Sequence, residues 1–264
     1  MEKNNVIFDE LPALLRNVGY IINVDEFDMN YFCGRDNEIL KMQVILNKKI
    51  KNNILLVGNP GVGKTKIVEA YAAKNNVKNI YVVECAKLVG GCEFRGTFEQ
   101  KVVDVLDYAK KYNLILFFDE MHSLINLGNS MGGMSITNIL KPYLLDKEYC
   151  FIGATTLEEA KYFVEDEAFK RRFSILRLDE PSYDTLKNIK NNFENNVLGE
   201  QIIDDIHMNK ILDDLKDKLP DKYFPDKLLD LLDYVYSYIT ITDYKNSIED
   251  LIGEYINEQR EIFN

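Results

Sequence analysis

Cysteine and histidine are scarce in this sequence. The 264 residues include four cysteines and two histidines. No two cysteines have the C-x-x-C spacing that is typical of zinc sites, and neither His122 nor His207 completes a zinc-binding pattern with them. We therefore predict neither a structural zinc ion nor a disulfide framework.

Long apolar runs are also missing. No stretch reaches the roughly 18 apolar residues that cross a bilayer as a helix. The first ten residues, MEKNNVIFDE, are acidic and lack the apolar segment of a secretion signal. We therefore expect no membrane association and a cytoplasmic location, or an organelle stroma or matrix if the gene is organellar.

Positive charge is in deficit. The sequence has 32 basic against 43 acidic residues, a formal net charge of −11 and a pI near 4.8. Because contacts to the phosphate backbone dominate nucleic-acid affinity, this balance argues against a nucleic-acid partner. The deficit is uneven: residues 181–264 contain 18 acidic and nine basic side chains, which indicates a boundary near residue 180.

The pattern of apolar residues predicts an α/β domain followed by helices. With 46% hydrophobic residues, the chain can bury a substantial core. Apolar runs typical of strands alternate with amphipathic helices up to residue 180, which predicts a parallel sheet flanked by helices. The predicted strands are 54–57, 80–84, 114–118, 150–154 and 174–178. The predicted domains are an N-terminal extension at 1–30, a large α/β domain at 31–180 and a small helical domain at 181–264.

A phosphate-binding loop follows the first of these strands. Residues 58–65, GNPGVGKT, fit the pattern G-x-x-x-x-G-K-[ST] between a strand and a helix. In this loop, backbone N–H groups and the helix N-terminus bind phosphate, the lysine adds a full positive charge, and the Thr65 hydroxyl can hold Mg²⁺. The predicted nucleotide-binding residues are Gly58, Asn59, Pro60, Gly61, Val62, Gly63, Lys64, Thr65 and the adjoining Lys66.

Two carboxylates end the strand at 114–118. Asp119 and Glu120 follow five apolar residues, and two acids at the end of a buried strand are costly unless they face a cation. We predict that Asp119 orients Mg²⁺ and that Glu120 polarises the water that attacks the γ-phosphate of ATP. The sequence therefore predicts a Mg²⁺-dependent ATPase with ATP and Mg²⁺ as cofactors.

Beyond these motifs, the sequence resembles the first AAA+ module of the Clp-type protein unfoldases and disaggregases. The resemblance covers about 200 residues. The matching segments are GRDNEI (34–39), NNILLVGNPGVGKTKIVEA (52–70), FRGTFEQKV (94–102), LFFDEMHSLI (116–125), NILKP (138–142), IGATTLEEAKYFVEDEAFKRRF (152–173) and FPDKLLDLLD (224–233). It implies a P-loop AAA+ module with a parallel sheet, followed by a small all-helical lid domain.

The resemblance also implies roles outside the two motifs. Thr156 falls on the first sensor, a polar side chain beside the γ-phosphate. Arg171 and Arg172 fall on the paired arginine fingers that reach the ATP of the neighbouring subunit, and arginine is scarce, with seven residues against 25 lysines. Lys227 lies near the second-sensor position in the lid.

In such unfoldases, loops in the ring pore grip the substrate. Phe94 falls on the aromatic position of the first pore loop, and Arg95 follows it. Glu93 stands where the family often has lysine, which places acidic groups around the pore. Residues 128–134 match a second pore loop in placement.

The resemblance predicts a ring, most simply a hexamer, that remodels or unfolds protein clients with ATP. The sequence shows no substrate-receiving N-terminal domain, no coiled-coil insertion in the lid and no second AAA+ module, so we expect no direct docking to a Clp protease. The alternative is an AAA+ switch or loader that acts on a replication or mobile-element protein without threading polypeptide.

Overall fold

The computed structural model describes residues 11–29, 32–90, 95–123, 136–242, 244 and 247–263. These residues group into two units. The α/β unit holds the described residues within 1–27, 37–58 and 64–178. The helical unit holds those within 28–36, 59–63 and 179–264. None of the helices in these described ranges is both long enough and apolar enough to span a membrane.

Strands and helices alternate along the α/β unit. The strands are β1 (Gly19–Ile21), β2 (Asn53–Val57), β3 (Ile80–Val83), β4 (Ile115–Phe118), β5 (Cys150–Thr155) and β6 (Phe173–Arg177). The helices are α1 (Ala13–Val18), α2 (Asp36–Leu46), α3 (Lys64–Asn75), α4 (Cys85–Val89), α5 (Arg95–Lys111), α6 (Ile136–Leu145), α7 (Ala160–Glu165) and α8 (Glu167–Arg172). Each predicted strand is present to within two residues of its expected ends.

The six strands form one sheet in the order β1-β3-β4-β5-β2-β6. The strands β2 to β6 pair in parallel, and every residue of β2 and β3 is buried. Parallel strands buried on both faces read as continuous apolar runs, which is why the sequence locates them well. The carboxyl ends of β4, β5 and β2 lie side by side at one edge, so the residues that follow these strands converge there.

The first strand is the exception to the predicted parallel sheet. β1 pairs antiparallel with β3, and Glu84 N donates to Val18 O over 2.9 Å. Leu15 and Val18, from the segment that the sequence pattern assigns to an N-terminal extension, are buried in the core of the α/β unit. The sequence pattern shows a short helical stripe around residues 11–18, where α1 lies. A three-residue strand is too short for a periodic signal, so the pattern does not reveal β1.

The helical unit contains four helices and one π-helical turn among its described residues. These are α9 (Tyr183–Phe193), the π-helical turn Glu194–Leu198, α10 (Met208–Lys218), α11 (Asp226–Ile241) and α12 (Ile248–Phe263). Ser182 caps α9 by accepting a hydrogen bond from Thr185 N over 3.2 Å. The helices bury one apolar stripe each, and Leu212, Leu231 and Leu251 lie at the centre of this second core.

Candidate functional site

The loop after β2 has the backbone that phosphate binding requires. Gly58 N donates to Thr155 O over 3.2 Å, which ties the start of the loop to the end of β5. Gly61 and Gly63 have φ angles of +74° and +92°, a region that residues with a Cβ avoid. Helix α3 begins at Lys64, so its N-terminal N–H groups adjoin the glycine-rich turn. The predicted loop residues therefore form a turn and a helix N-terminus directly after strand β2.

Lys64 extends from the start of α3 toward acidic residues of the same unit. Its Nζ donates to Gly58 O over 2.9 Å. Burial lowers the pKa of Lys64, and the negative charges of Asp119, Glu159 and Glu120 oppose that lowering. The structure thus brings Lys64 close to the acids that follow β4.

Thr65 and Asp119 contact each other directly. Thr65 Oγ1 donates to Asp119 Oδ2 over 2.5 Å, across the interval between the start of α3 and the end of β4. A hydroxyl and a carboxylate oxygen side by side are ligands that suit Mg²⁺. The described residues contain no group of three or more His, Cys, Asp or Glu side chains that could hold a metal ion by themselves. An ion at this pair would therefore complete its coordination with phosphate oxygens and water.

Glu120 has an unusual backbone conformation. Its φ is +52°, and the residue is exposed at the end of the strand. Its N–H donates to Asp119 Oδ1 over 3.1 Å, and its carbonyl accepts from Ser123 N over 2.8 Å. Left-handed backbone at a residue other than glycine costs free energy and is concentrated at functional sites. The conformation fits a carboxylate that must project from the sheet edge.

A carboxylate that sequence reasoning missed lies beside the predicted sensor. Glu159 Oε2 accepts from Thr156 Oγ1 over 2.7 Å and lies 2.9 Å from His122 Nδ1. The T-x-x-E spacing of Thr156 and Glu159 is a capping-box signal that the sequence does contain. The sequence pattern assigns His122 no role beyond the lack of a zinc partner, although it lies two residues after Glu120.

Arg35 is a second residue that sequence reasoning missed. Its guanidinium donates to Val62 O over 3.2 Å and to Asp179 O over 2.7 Å. It therefore holds a carbonyl of the phosphate loop. The sequence does contain a signal, because Arg35 is one of only seven arginines and lies in the matching segment GRDNEI.

The predicted arginine fingers end helix α8. Arg171 is 79% exposed, and its Nε lies 3.4 Å from Glu167 Oε2, one helical turn earlier. Arg172 is half-buried at the last position before β6. An exposed pair of this kind contributes little to stability, so the Arg171 side chain is available for another contact.

Lys227 and Lys66 each contact residues of their own structural unit. The Lys227 side chain is buried, its Nζ donates to Leu219 O over 3.3 Å, and it lies 4.3 Å from the centre of the Phe224 ring. Burial lowers the pKa of Lys227. Lys66 is exposed and pairs with Glu69 over 2.8 Å. Neither contact by itself points to a nucleotide.

The predicted pore-loop residues fall outside the part of the chain that the structure describes. Phe94 and residues 128–134 lie outside the described residues, and so does the side chain of Arg95, although its backbone begins α5. Their role in substrate binding stays a prediction.

Comparison with known proteins identifies the class. Residues 54–178 match the model of the ATPase family associated with various cellular activities (AAA). The chaperone protein ClpB of Bacteroides thetaiotaomicron is 37% identical over 238 residues, which cover 81% of this chain and 27% of ClpB. The negative regulator of genetic competence ClpC/MecB of Bacillus subtilis is 34% identical over 257 residues, which cover 89% of this chain and 30% of that protein.

Solved structures agree with the sequence comparison. The Saccharomyces cerevisiae Hsp104–ADP complex matches with a TM-score of 0.74 and 30% identity, over 86% of this chain and 41% of the Hsp104 chain. The Hsp104–casein complex in its extended conformation matches with a TM-score of 0.70 and 26% identity, over 88% of this chain and 42% of that chain.

The fold and these matches define an AAA ATPase module. Within that class, the chain belongs to the Clp-type family of AAA+ unfoldases, as the sequence segments predicted. The predicted fold class and the predicted ATPase class are thereby confirmed, and the alternative of a switch or loader is not favoured. The chain spans less than a third of the length of these ClpB and ClpC relatives.

Proposed function

We propose that this chain binds and hydrolyses ATP with Mg²⁺ and uses the energy, as a ring, to remodel protein clients. The contact between Thr65 Oγ1 and Asp119 Oδ2, at 2.5 Å, carries the catalytic part of the proposal. It joins the ends of the two ATPase motifs, which lie 54 residues apart in the sequence. If Thr65 only lay at a solvent-exposed turn and Asp119 only at a solvent-exposed strand end, their side chains would not be expected to contact each other.

Each residue around this contact would perform one part of phosphoryl transfer. Lys64 and the N-terminus of α3 neutralise phosphate charge, while Thr65 and Asp119 would hold Mg²⁺. Bound Mg²⁺ would neutralise charge on the phosphate oxygens. Glu120, which is exposed after the end of β4, would accept a proton from the attacking water. Thr156 would align that water, since β5 ends next to both β2 and β4.

The ring and the clients are supported by the relatives. The ClpB relatives are chaperones, and one matching Hsp104 structure is a complex with casein. The exposed guanidinium of Arg171 suits an arginine finger that acts on the ATP of a neighbouring copy. We propose a hexamer, with Phe94 and Arg95 gripping the client in the pore, and no nucleic-acid partner.

Phosphate release from ATP tests the catalytic assignment. Lys64→Ala should abolish nucleotide binding, because it removes the charge nearest the phosphates. Glu120→Gln should retain binding and lower kcat at least about 100-fold, the scale of a lost general base. Lys210→Ala, at an exposed lysine of α10, is the matched control and should retain wild-type turnover. Equal hydrolysis by wild type and Glu120→Gln would remove Glu120 from the mechanism.

A further inference from the structure

One oxygen of Glu159 gathers hydrogen bonds from two segments of the α/β unit. Glu159 Oε2 accepts from Thr156 Oγ1 over 2.7 Å, from Thr156 N over 3.3 Å and from Thr155 Oγ1 over 3.3 Å. The fourth contact comes from His122 Nδ1 at 2.9 Å. A carboxylate only accepts hydrogen bonds, so the threonine groups donate to it, and the His122 ring donates to it when Nδ1 carries a proton.

Helix capping accounts for part of this cluster. Glu159 N donates to Thr156 Oγ1 over 3.3 Å while the Glu159 carboxylate reaches back to Thr156 N, the reciprocal pattern of a capping box ahead of α7. Capping does not account for His122. This residue lies in the segment that carries Asp119 and Glu120, so its contact links the turn after β5 to the segment after β4.

We propose that Glu159 is a positioning residue for ATP hydrolysis, which holds the Thr156 hydroxyl in register with the Glu120 segment through His122. The proposal rests on the proposed function, because it gives Thr156 and Glu120 their roles in hydrolysis. His122 lies two residues after Glu120, and the carbonyl of Glu120 is bound by Ser123 N over 2.8 Å. A shift of this short turn therefore moves Glu120 as well.

The contact also sets what the Thr156 hydroxyl can do. A hydroxyl has one proton, and Thr156 donates it to Glu159 over 2.7 Å. The oxygen then has one lone pair left after accepting from Glu159 N, and this lone pair can accept a hydrogen bond from a water molecule. In this arrangement Thr156 cannot donate to a phosphate oxygen. Glu159 thereby makes the sensor an acceptor for the attacking water.

Steady-state kinetics of four variants test this inference. Glu159→Ala should lower kcat about tenfold or more, as expected when reacting groups lose their alignment, with the Kd for ATP within about twofold of wild type. Glu159→Gln, which keeps the shape but loses the charge, should also lower kcat, and it replaces Glu159→Ala if that variant does not fold. His122→Ala should show a smaller fall. The double variant His122→Ala, Glu159→Ala should be no slower than Glu159→Ala alone, since His122 acts through Glu159.

Asp146→Asn is the matched control. Asp146 precedes β5, at the other end of the strand from Thr156, and it too is a carboxylate that accepts from a backbone N–H, of Glu148, and pairs with a cation, Lys110, over 3.2 Å. This variant should retain kcat within about twofold.

Three outcomes would overturn the inference. Unchanged kcat in Glu159→Ala and Glu159→Gln, with lower melting temperatures, would make Glu159 a helix cap only. Multiplied losses in the double variant would make the two residues independent. A loss of ATP affinity equal to the loss of kcat/KM would make Glu159 a binding residue. Absence of ATP hydrolysis by the wild type overturns the proposed function itself, whereas an active wild type with a normal Glu159→Ala variant overturns this inference alone.

Discussion

At the scale of single residues, the phosphate loop contains two glycines that are required for different physical reasons. A Cβ on Gly61 would lie 2.6 Å from the Cβ of Asp226, so both crowding and the positive φ exclude a side chain. A Cβ on Gly63 would meet no atom within 4 Å, so only the φ of +92° opposes it. The two positions therefore differ in how they respond to the same substitution.

Glycine to alanine changes measure that difference. Gly63→Ala should destabilise the protein by about 1–2 kcal/mol through backbone strain, and Gly61→Ala should cost more because Asp226 must also move. Gly253→Ala, in the interior of α12 with open space at the Cβ position, should instead stabilise by about 0.5–1 kcal/mol. Urea unfolding without nucleotide gives all three values. Equal losses at Gly61 and Gly63 would show that crowding by Asp226 does not matter.

At the scale of secondary-structure elements, a buried ion pair holds the π-helical turn. Lys190 and Glu194 are 0% and 1% exposed, and their charged atoms are 3.2 Å apart. Glu194 Oε1 accepts from the N–H groups of Ile202 and Ile203, and Lys190 Nζ also donates to Asp205 over 2.8 Å. One carboxylate thus satisfies a buried lysine and two backbone donors after the turn.

Removing Glu194 should therefore be costly. Glu194→Ala leaves the two N–H groups unsatisfied and weakens the compensation of a buried positive charge, so we expect a loss of about 3–5 kcal/mol. Glu200→Ala, at an exposed glutamate six residues later, should change stability by less than about 0.5 kcal/mol. Thermal or urea unfolding checks both values. A loss below about 1 kcal/mol at Glu194 would mean that water or Asp205 takes over its role.

The elements also show how far the sequence predicts the structure. Strands β2 to β6 were predictable because continuous apolar runs leave few alternatives, and the phosphate loop was predictable because its glycines and Lys64 stand at fixed spacing. Strand β1 was not, since three residues carry no periodicity. The Glu159 cluster was not predictable either, because a contact between the turns after β4 and β5 depends on which strands are neighbours in the sheet.

At the scale of the whole molecule, client remodelling and ATP turnover are separate quantities. If Phe94 grips the client, Phe94→Ala should lower the number of client molecules unfolded per ATP hydrolysed by about tenfold. ATP would then be hydrolysed without a side chain that holds the client and pulls on it. A folded protein whose fluorescence is lost on unfolding can serve as the client, with phosphate release measured in the same sample. Phe94→Tyr, which keeps an aromatic ring, should retain the ratio. An unchanged ratio in Phe94→Ala would exclude an essential grip by this residue.

The assembly itself can be tested by mixing two inactive proteins. Lys64→Ala lacks a working ATP site but keeps Arg171 and Arg172, whereas the double variant Arg171→Ala, Arg172→Ala keeps the ATP site but lacks both guanidinium groups. If the arginines act on the ATP of a neighbouring copy, mixed rings contain interfaces in which one protein supplies the site and the other the arginines. The mixture should then hydrolyse ATP several-fold faster than the sum of the two proteins alone.

The total protein concentration and the ratio of the two variants provide the controls for this experiment. Activity of the mixture should rise with total protein, because the active interface forms between copies, and it should be highest near equal amounts of the two variants. Replacing the second partner by a triple variant that also carries Glu120→Gln should remove the gain, since no intact site remains. Activity equal to the sum at every ratio, with mixed oligomers present by native mass spectrometry, would show that Arg171 and Arg172 do not act between copies.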